Sequence, residues 1–395
     1  MRRIKNFDEL AQSKGRRDLL EIIEAGYEAI DNASVVRKSI RVIGTTLHIE
    51  GKEFNLDEYD RISVIGFGKG SGLASSTLVE VMEGKVNRGV VIDRSKLPDC
   101  PPLTIHVGSH PIPSLVNLEA TKDIVALTRG LTEKDLVLVI VTGGGSSLLC
   151  YPESECQEGK RLYRAFLPTG ATIHDINLVR KHISKIKGGG LAKLLYPARV
   201  LGLIFSDVLG NDGSKEVASG PTYKDESTID DAQTVLNKYA ITEQFKLSET
   251  PKEDKWFANV TNILLVSNAH ALLAMANKAN ELGLNPVIIE EPIYSFSDEA
   301  LVKLRSHSLP SSVVLAGGEI RLQVSDHHTP GGRCAYFGEH VRKALLANQI
   351  FAAVASDGTD NGPEAGVIVE GDKVDNIHTG ELPSNVADLY LLYTS

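Results

Sequence analysis

An apolar run that ends in a glycine cluster constrains the fold more than any other stretch of this sequence. Residues 136–141 are apolar and rich in β-branched side chains, which predicts a strand buried on both faces. After Thr142, the chain continues with three glycines and two serines: Gly143, Gly144, Gly145, Ser146 and Ser147. Glycines leave the backbone uncovered, and serines are typical of helix starts, where amides attract anions. Residues 142–147, the glycine turn, therefore predict an anion site, with a ligand-free turn as the simpler alternative.

Strand-like runs alternate with helical patterns along the first half of the chain. The predicted strands lie at 62–65, 89–92, 103–107, 136–141 and 200–205. Helical patterns lie between most of them, for example at 71–82 and 117–128. Such alternation predicts an α/β fold with mostly parallel sheets flanked by helices on both faces.

The chain length predicts two domains, because 395 residues exceed one ordinary hydrophobic core. We assign residues 41–242 to a first α/β domain and residues 257–395 to a second, joined by a charged linker at 243–256. The predicted strands of the second domain are 263–266, 286–289, 313–315, 320–324, 351–355 and 367–369. Residues 1–40 are a mainly helical segment that the sequence assigns to neither domain.

Charge and composition exclude several classes of protein. The net charge of −9 disfavours a nucleic-acid partner, which needs a basic surface. No apolar run approaches the roughly 18 residues of a membrane span, and the start of the chain lacks a secretory apolar core. We therefore expect a cytoplasmic protein without a membrane partner. Its cysteines show no paired spacing and are expected to be reduced thiols: Cys100, Cys150, Cys156 and Cys334.

Lys69 lies in a second glycine-rich turn, which follows the predicted strand at 62–65. This turn matches neither of two familiar nucleotide-binding patterns. The dinucleotide pattern needs glycine where this chain has Ser71 or Leu73, and the Walker pattern needs glycine where it has Ser63. What remains is a lysine between Gly68 and a further glycine. A solvated lysine and a phosphate site built from backbone and ammonium are both consistent with this pattern.

Two polar segments could complete a phosphate site. Residues 180–187 form a basic helix that glycines terminate, although a charge run is also typical of a solvated face. Asp207 and Asp212 follow the predicted strand at 200–205, where they could cap turns or hold Mg²⁺ together with substrate phosphates. The serines do not form a hydrolase nucleophile motif. Direct phosphoryl transfer suits such residues, because it needs positioning and charge neutralisation more than covalent chemistry.

Several of these motifs recur in a fixed order along the chain, at residues 66–69, 110–113, 142–147, 185–189, 206–212, 218–222, 317–319 and 356–360. The ordered set resembles the glycerate 2-kinase family, the type II glycerate kinases with a MOFRL-type C-terminal domain. The resemblance implies a Rossmann-like nucleotide-binding first domain, a MOFRL-like second domain and an active site in the cleft between them. It also implies transfer of the γ-phosphoryl group of ATP, with Mg²⁺ or another divalent cation, to D-glycerate, giving 2-phosphoglycerate.

The resemblance assigns roles to residues that match the motifs. The catalytic candidates are Lys69, Arg333 and Asp207. The cofactor-binding candidates are Gly68, Gly143, Gly144, Gly145, Ser146, Ser147, Lys187, Gly188, Gly189 and Asn268. The substrate-binding candidates are His110, Arg180, Glu319 and Asp357, and the metal ligands are Asp207 and Asp212. The family usually continues its Gly-Gly-Arg motif with Asn-Gln, whereas Cys334 and Ala335 follow Arg333 in this chain, which predicts a shifted substrate preference.

Two other classes of protein fit some of the same features. A sugar-phosphate binding protein or isomerase would also use glycine turns and serines after strands, but it would not bind ATP. A nicotinamide dehydrogenase is disfavoured because the dinucleotide pattern fails at Ser71 and Leu73. The sequence leaves open whether the protein forms a homodimer.

Overall fold

The computed structural model describes residues 2–208, 213–322 and 331–395, and these residues divide into two units. The parallel-sheet unit comprises residues 35–206 and 213–265. The mixed-sheet unit comprises residues 2–34, 207–208, 266–322 and 331–395. The N-terminal segment up to residue 34 is therefore part of the same unit as the C-terminal part of the chain.

The helices of the described residues are α1 (Phe7–Leu10), α2 (Lys14–Ala29), α3 (Asn32–Ser39), α4 (Ser71–Val81), α5 (Leu115–Leu127), α6 (Gly145–Leu148), α7 (Glu153–Phe166), α8 (Ile173–His182), α9 (Gly190–Leu195), α10 (Ile229–Lys238), α11 (Asn268–Glu281), α12 (Ser297–Ser306) and α13 (Arg333–Arg342). Helix α2 packs against α11 and against the sheet of the mixed-sheet unit. Within the described residues, no helix is both long enough and apolar enough to cross a membrane.

The parallel-sheet unit contains a small antiparallel sheet and a six-stranded sheet. The small sheet consists of β1 (Ile40–Ile43), β2 (Thr46–Ile49) and β3 (Lys52–Asn55). The strands of the large sheet are β4 (Arg61–Phe67), β5 (Arg88–Asp93), β6 (Leu103–Val107), β7 (Asp135–Val141), β8 (Arg199–Phe205) and β9 (Val260–Val266). Their order is β6-β5-β4-β7-β8-β9, and the pairs from β6 to β8 are parallel. Every residue of β7 is buried, as its unbroken apolar run predicts.

The mixed-sheet unit contains a second six-stranded sheet. Its strands are β10 (Asn285–Ile288), β11 (Ser312–Gly318), β12 (Gln349–Ala355), β13 (Gly366–Glu370), β14 (Lys373–Ile377) and β15 (Asp388–Thr394), in the order β10-β11-β15-β12-β13-β14. Only the β10–β11 pair is parallel, so the expectation of mostly parallel strands holds for the first sheet and not for this one. Antiparallel pairing of β13 with β14 follows from their two-residue connection, which leaves no room for a crossover helix.

Strand and linker assignments near the domain boundary need correction. The strand predicted at 263–266 for the second domain is part of β9, the sixth strand of the first sheet. The segment 243–256, predicted as a linker from its charge and proline, packs on the parallel-sheet unit, where the Ser248 amide donates to His182 O at 2.7 Å. Of the strand predicted at 320–324, Arg321 forms an isolated bridge, and residues 323 and 324 lie outside the described residues.

The prediction of four reduced cysteines is wrong for two of them. Cys150 and Cys156 form a disulfide, whereas Cys100 and Cys334 are free thiols. The bond joins the second residue after the end of α6 to the first turn of α7, a proximity that spacing alone does not reveal. Cys334 is fully buried in the core of the mixed-sheet unit, among residues that include Phe337 and Tyr390. Burial raises the pKa of the Cys334 thiol well above its usual value.

Candidate active site

The glycine turn joins β7 to the short helix α6. Gly144 has a φ of 78°, a left-handed conformation that favours glycine, and Gly145 donates its amide to Thr142 O at 3.3 Å. A Cβ placed on Gly145 would lie 2.6 Å from the Cβ of Ala218, so this position also needs glycine for space. Ser147 closes the turn, because its hydroxyl donates to Gly144 O at 3.1 Å.

Backbone amides of the glycine turn are available to a ligand. Among the described residues, the amides of Gly145 and Ser147 donate hydrogen bonds within the turn, whereas those of Gly143, Gly144 and Ser146 donate none. Amides at a strand-to-helix turn bind anions well, since they supply donors and a partial positive charge. The anion site stays a prediction, and these amides are the donors that it would use.

Lys69 lies directly beside the glycine turn. Strands β4 and β7 are parallel neighbours whose last residues, Phe67 and Val141, are paired in register. The two turns that follow therefore meet at the same edge of the sheet, and the Lys69 amide donates to Gly143 O at 2.8 Å. Gly68 has a φ of 114°, and a Cβ there would overlap Thr142. Only glycine at position 68 allows this close approach of the two turns.

His110 is a neighbour of Gly144 in the glycine turn. A Cβ placed on Gly144 would lie 3.2 Å from His110 Nε2 and 3.3 Å from Lys69 Cγ, so both side chains border this glycine. Asn117 positions the segment, since its Nδ2 lies 2.9 Å from both Ser109 O and Ser147 O. The structure thus brings together three of the sequence-predicted residues: a lysine, a histidine and a bare glycine backbone.

A chain of polar side chains extends from the glycine turn to Arg180. The hydroxyls of Ser146 and Ser219 are 2.8 Å apart, and Ser219 donates to Asn177 Oδ1 at 3.1 Å. Arg180 donates to the same Asn177 oxygen at 2.6 Å. Ala218 and Ser219 both have positive φ, at 53° and 61°, which costs non-glycine residues about 1 kcal/mol or more each and is typical of functional sites.

Arg180 is a cation with little negative charge in its surroundings to offset its own. Burial lowers the pKa of its guanidinium below the usual value, and Glu155 opposes that shift. Asn177, its hydrogen-bond partner, is neutral. Because a guanidinium has five N–H donors, Arg180 retains the capacity to bind an anion.

Lys187, Gly188 and Gly189 have a different environment from the one the sequence suggests. The Lys187 ammonium is buried, where it donates to Leu149 O at 2.7 Å and pairs with Glu155. Burial lowers the pKa of Lys187 and raises that of Glu155, while their mutual attraction opposes both shifts. The amides of Gly188 and Gly189 donate to Ser219 O and Gly220 O, each at 2.9 Å. The donors of these three residues are therefore already bound to groups of the protein, at Leu149, Glu155, Ser219 and Gly220.

A second group of predicted residues lies in the mixed-sheet unit around Arg333. The Arg333 guanidinium donates twice to Glu319, at 2.9 Å each, and its Nε donates to Asp388 Oδ2 at 3.0 Å. Asp388 is buried, whereas Arg333 and Glu319 are partly exposed. Burial raises the pKa of Asp388 to about 7, and Arg333 opposes that shift. Asp388 therefore anchors the arginine, and Glu319 occupies its exposed edge.

The remaining predicted residues lie near the same edge of the mixed sheet. Asn268 begins α11 and donates to Val386 O at 2.8 Å, and Val386 in turn donates to Ser356 Oγ at 2.8 Å. Asp357 accepts from the amide and hydroxyl of Thr359. Asn385 lies 3.5 Å from Asp207 Oδ2.

The described residues contain no cluster of three or more histidine, cysteine or carboxylate side chains that could hold a metal ion. Asp207 lies within the described residues, and Asp212 lies outside them. Mg²⁺ typically needs only one or two protein carboxylates when a nucleotide supplies further oxygens. A carboxylate such as Asp207 fits that requirement.

Sequence reasoning missed several residues that shape both groups. Glu155 and Asp388 are buried polar residues whose basic partners, Lys187 and Arg333, lie 32 and 55 residues away, and no local pattern marks them. Asn177 is also buried, and it bonds both to Arg180, three residues away, and to Ser219, 42 residues away. Asp93 is different, because it stands at the carboxyl end of β5, and parallel sheets bind ligands at the carboxyl ends of their strands. Cys334 and Ala335 donate their backbone amides to Asp360, a contact that any residue other than proline could make.

Known proteins share this fold and much of this sequence. Residues 18–252 match a family described as a domain of unknown function, DUF4147. A D-glycerate 2-kinase of Thermotoga maritima is 33% identical over 89% of this chain and 85% of its own. A glycerate 2-kinase of Picrophilus torridus is 29% identical over 95% of this chain and 90% of its own. A crystal structure of a glycerate kinase from Thermotoga maritima aligns with a TM-score of 0.80 at 28% identity, covering 96% of this chain and 99% of that one.

These likenesses extend over both units rather than over one motif. They place the chain among the α/β phosphotransferases. Within that class the chain belongs to the glycerate 2-kinase family, which confirms the resemblance found in the sequence.

Proposed function

We propose that this protein transfers the γ-phosphoryl group of ATP to D-glycerate, giving 2-phosphoglycerate and ADP. The 2-hydroxyl oxygen bonds to the γ-phosphorus, the bond from that phosphorus to the β–γ bridging oxygen breaks, and the hydroxyl proton leaves. The observation that carries the proposal is the glycine turn with its available amides beside Lys69. The relatives named glycerate 2-kinase support the choice of substrate and of the hydroxyl.

ATP phosphates are proposed to bind the amides of Gly143, Gly144 and Ser146. Lys69 adds a positive charge at the same place, where it offsets the negative charge that develops on the transferring group. His110 borders Gly144 and is proposed to donate a hydrogen bond to a phosphate or substrate oxygen. Phosphoryl transfer depends mainly on such positioning and charge neutralisation.

The D-glycerate carboxylate is proposed to bind Arg180. This guanidinium is connected to the glycine turn through Asn177, Ser219 and Ser146, so an anion bound to it lies close to the proposed phosphate site. Lys187 is better suited to positioning than to direct binding, because Glu155 and Leu149 O already occupy its ammonium.

The mixed-sheet unit is proposed to contribute Arg333 as a second cation. Glu319 occupies the exposed edge of this guanidinium, so an arriving phosphate must replace it. Asn268 and Asp357 are proposed to contact ligand at the same edge of the mixed sheet. Asp207 is proposed to hold Mg²⁺ or to accept the hydroxyl proton, and Asp212 to be a second metal ligand. Bound Mg²⁺ would neutralise charge on the nucleotide phosphates.

A product assay tests the reaction. The protein is incubated with ATP, Mg²⁺ and D-glycerate, and the products are identified by phosphorus NMR. The expected product is 2-phosphoglycerate with an equal amount of ADP. Formation of 3-phosphoglycerate would contradict the proposed regiochemistry, and no consumption of ATP would contradict the kinase. Because ATP and small hydroxy acids are metabolites of the cytoplasm, we also propose that the protein acts there.

A further inference from the structure

Asp93 is a buried carboxylate whose hydrogen-bond donors are backbone amides. It is the last residue of β5 and is only 1% exposed. Its oxygens accept from Gly70 at 3.2 Å, Gly72 at 2.7 Å, Arg94 at 2.6 Å and Ser95 at 3.2 Å. Burial raises the pKa of Asp93, and these four amides oppose the shift. A carboxylate held in this way has a fixed position.

Two of these amides belong to the turn that carries Lys69. Gly70 immediately follows the lysine and has a φ of 75°, and Gly72 lies in the first turn of α4. On the other side, the Lys69 amide donates to Gly143 O at 2.8 Å. The turn is therefore held between the glycine turn and Asp93. A segment with glycines on both sides of the lysine has many alternative conformations unless contacts of this kind restrict it.

Asp93 also occupies the start of α4. The amides there would otherwise attract an anion, as helix starts generally do. With a carboxylate already bound to them, a second anion would be repelled. The side chain of Lys69 is consequently the part of this turn that can serve a phosphate.

We propose that Asp93 is a positioning residue for Lys69, which fixes the lysine turn so that the ammonium points to the phosphate held by the glycine turn. The proposal rests on the role proposed for Lys69 above. It predicts that weaker hydrogen bonds to the Asp93 carboxylate lower kcat, because they misplace Lys69, and leave the binding of D-glycerate largely intact.

Asp93→Asn is the test, and Asp135→Asn is its matched control. Asparagine keeps one acceptor oxygen but turns an NH₂ group toward backbone donors. Asp135 is also buried and also accepts from a turn, with Thr132 N at 2.7 Å, but it begins β7 at the opposite edge of the sheet. We expect both variants to melt at lower temperature than the wild type. Only D93N should lower kcat, by about 10- to 100-fold, with KM for D-glycerate within 3-fold of the wild type.

A second comparison separates positioning from general damage. In a Lys69→Met background, D93N should lower kcat by less than 2-fold, because the group that it positions is gone. The same loss in both backgrounds, or a kcat for D93N within 3-fold of the wild type, would overturn the proposal. Full activity of K69M alone would instead overturn the role of Lys69, so the two failures are distinguishable.

A variant that keeps the carboxylate covers the case in which D93N does not fold. A Cβ on Gly72 would meet Asp93 Oδ2 at 3.0 Å and would overlap Leu97. The double variant Gly72→Ala with Leu97→Ala removes the overlap and shifts only the carboxylate. We expect kcat several-fold below that of L97A alone with unchanged KM for D-glycerate, and equal kcat values would overturn the proposal.

Discussion

Replacing Lys69 with methionine tests the proposed site most directly. Methionine is also unbranched and nearly as long, so it keeps the packing of the side-chain stem beside Gly144 while it removes the ammonium. The backbone bond from Lys69 N to Gly143 O does not depend on the side chain. K69M should therefore fold like the wild type, and its effect should be confined to turnover.

The expected loss follows from the charge and its surroundings. Lys69 is partly exposed, so an effective dielectric constant of about 20 applies rather than that of the deep interior. An ammonium about 4 Å from a unit charge that develops on the phosphoryl group then contributes about 4 kcal/mol. That energy corresponds to a factor of about 10³ in kcat. Loss of one donor to such a charge typically costs about 10²–10³-fold, which agrees with this value.

The assay measures ADP formation at saturating ATP and D-glycerate, together with the melting temperature of each variant. Lys96→Met is the control, because it removes one exposed lysine from the same unit and changes the net charge equally. K96M should retain wild-type kcat. Adding methylammonium to Lys69→Ala should restore part of the lost rate. A K69M enzyme whose kcat lies within 3-fold of the wild type would refute the reasoning.

Three further predictions concern other residues and the metal. Arg180→Ala should raise KM for D-glycerate by about 10- to 100-fold, which is the usual value of a charge-assisted hydrogen bond. Arg164 is exposed, and Arg164→Ala should leave this KM unchanged. Steady-state kinetics compares the two variants. Asp388 has a pKa of about 7 in the folded state and so binds its proton more tightly there than in the unfolded chain. The free energy of unfolding should therefore fall by about 3 kcal/mol as the pH rises from 5 to 8. Urea titrations should show this fall in the wild type and its loss in Asp388→Asn, and an equal fall in both proteins contradicts the assignment. EDTA should abolish ADP formation and added Mg²⁺ should restore it, so activity that persists in EDTA argues against the metal.

The parallel-sheet unit could be predicted well because its signals are local. The apolar run of β7 and the glycines after it are adjacent in sequence, and each shapes the backbone where it stands. The contact of Lys69 with Gly143 also follows from sequence, once both strands are parallel neighbours, because their carboxyl ends meet at one edge of the sheet.

Contacts between distant residues account for most of what could not be predicted. Lys187 has the same sequence signal as a phosphate-binding lysine, but its contacts with Glu155, 32 residues away, and with Leu149 O, 38 residues away, direct it inward. Strand β15 lies between β11 and β12, so its place depends on pairings with two distant segments rather than on its own pattern. The antiparallel arrangement of the mixed sheet follows from that insertion and from the tight connection after β13.

The two proposed cations share one structural arrangement, which decides where phosphate can bind. Lys69 lies on a turn whose amides donate to Asp93, and Arg333 begins α13, whose first amides donate to Asp360 at 2.8 to 3.1 Å. In each case a buried aspartate occupies the helix start, so the backbone there cannot also bind a phosphate. The amides of the glycine turn have no such carboxylate among the described residues. Of these three turns, we therefore expect the glycine turn to bind phosphate through its backbone, and we expect Lys69 and Arg333 to act through their side chains.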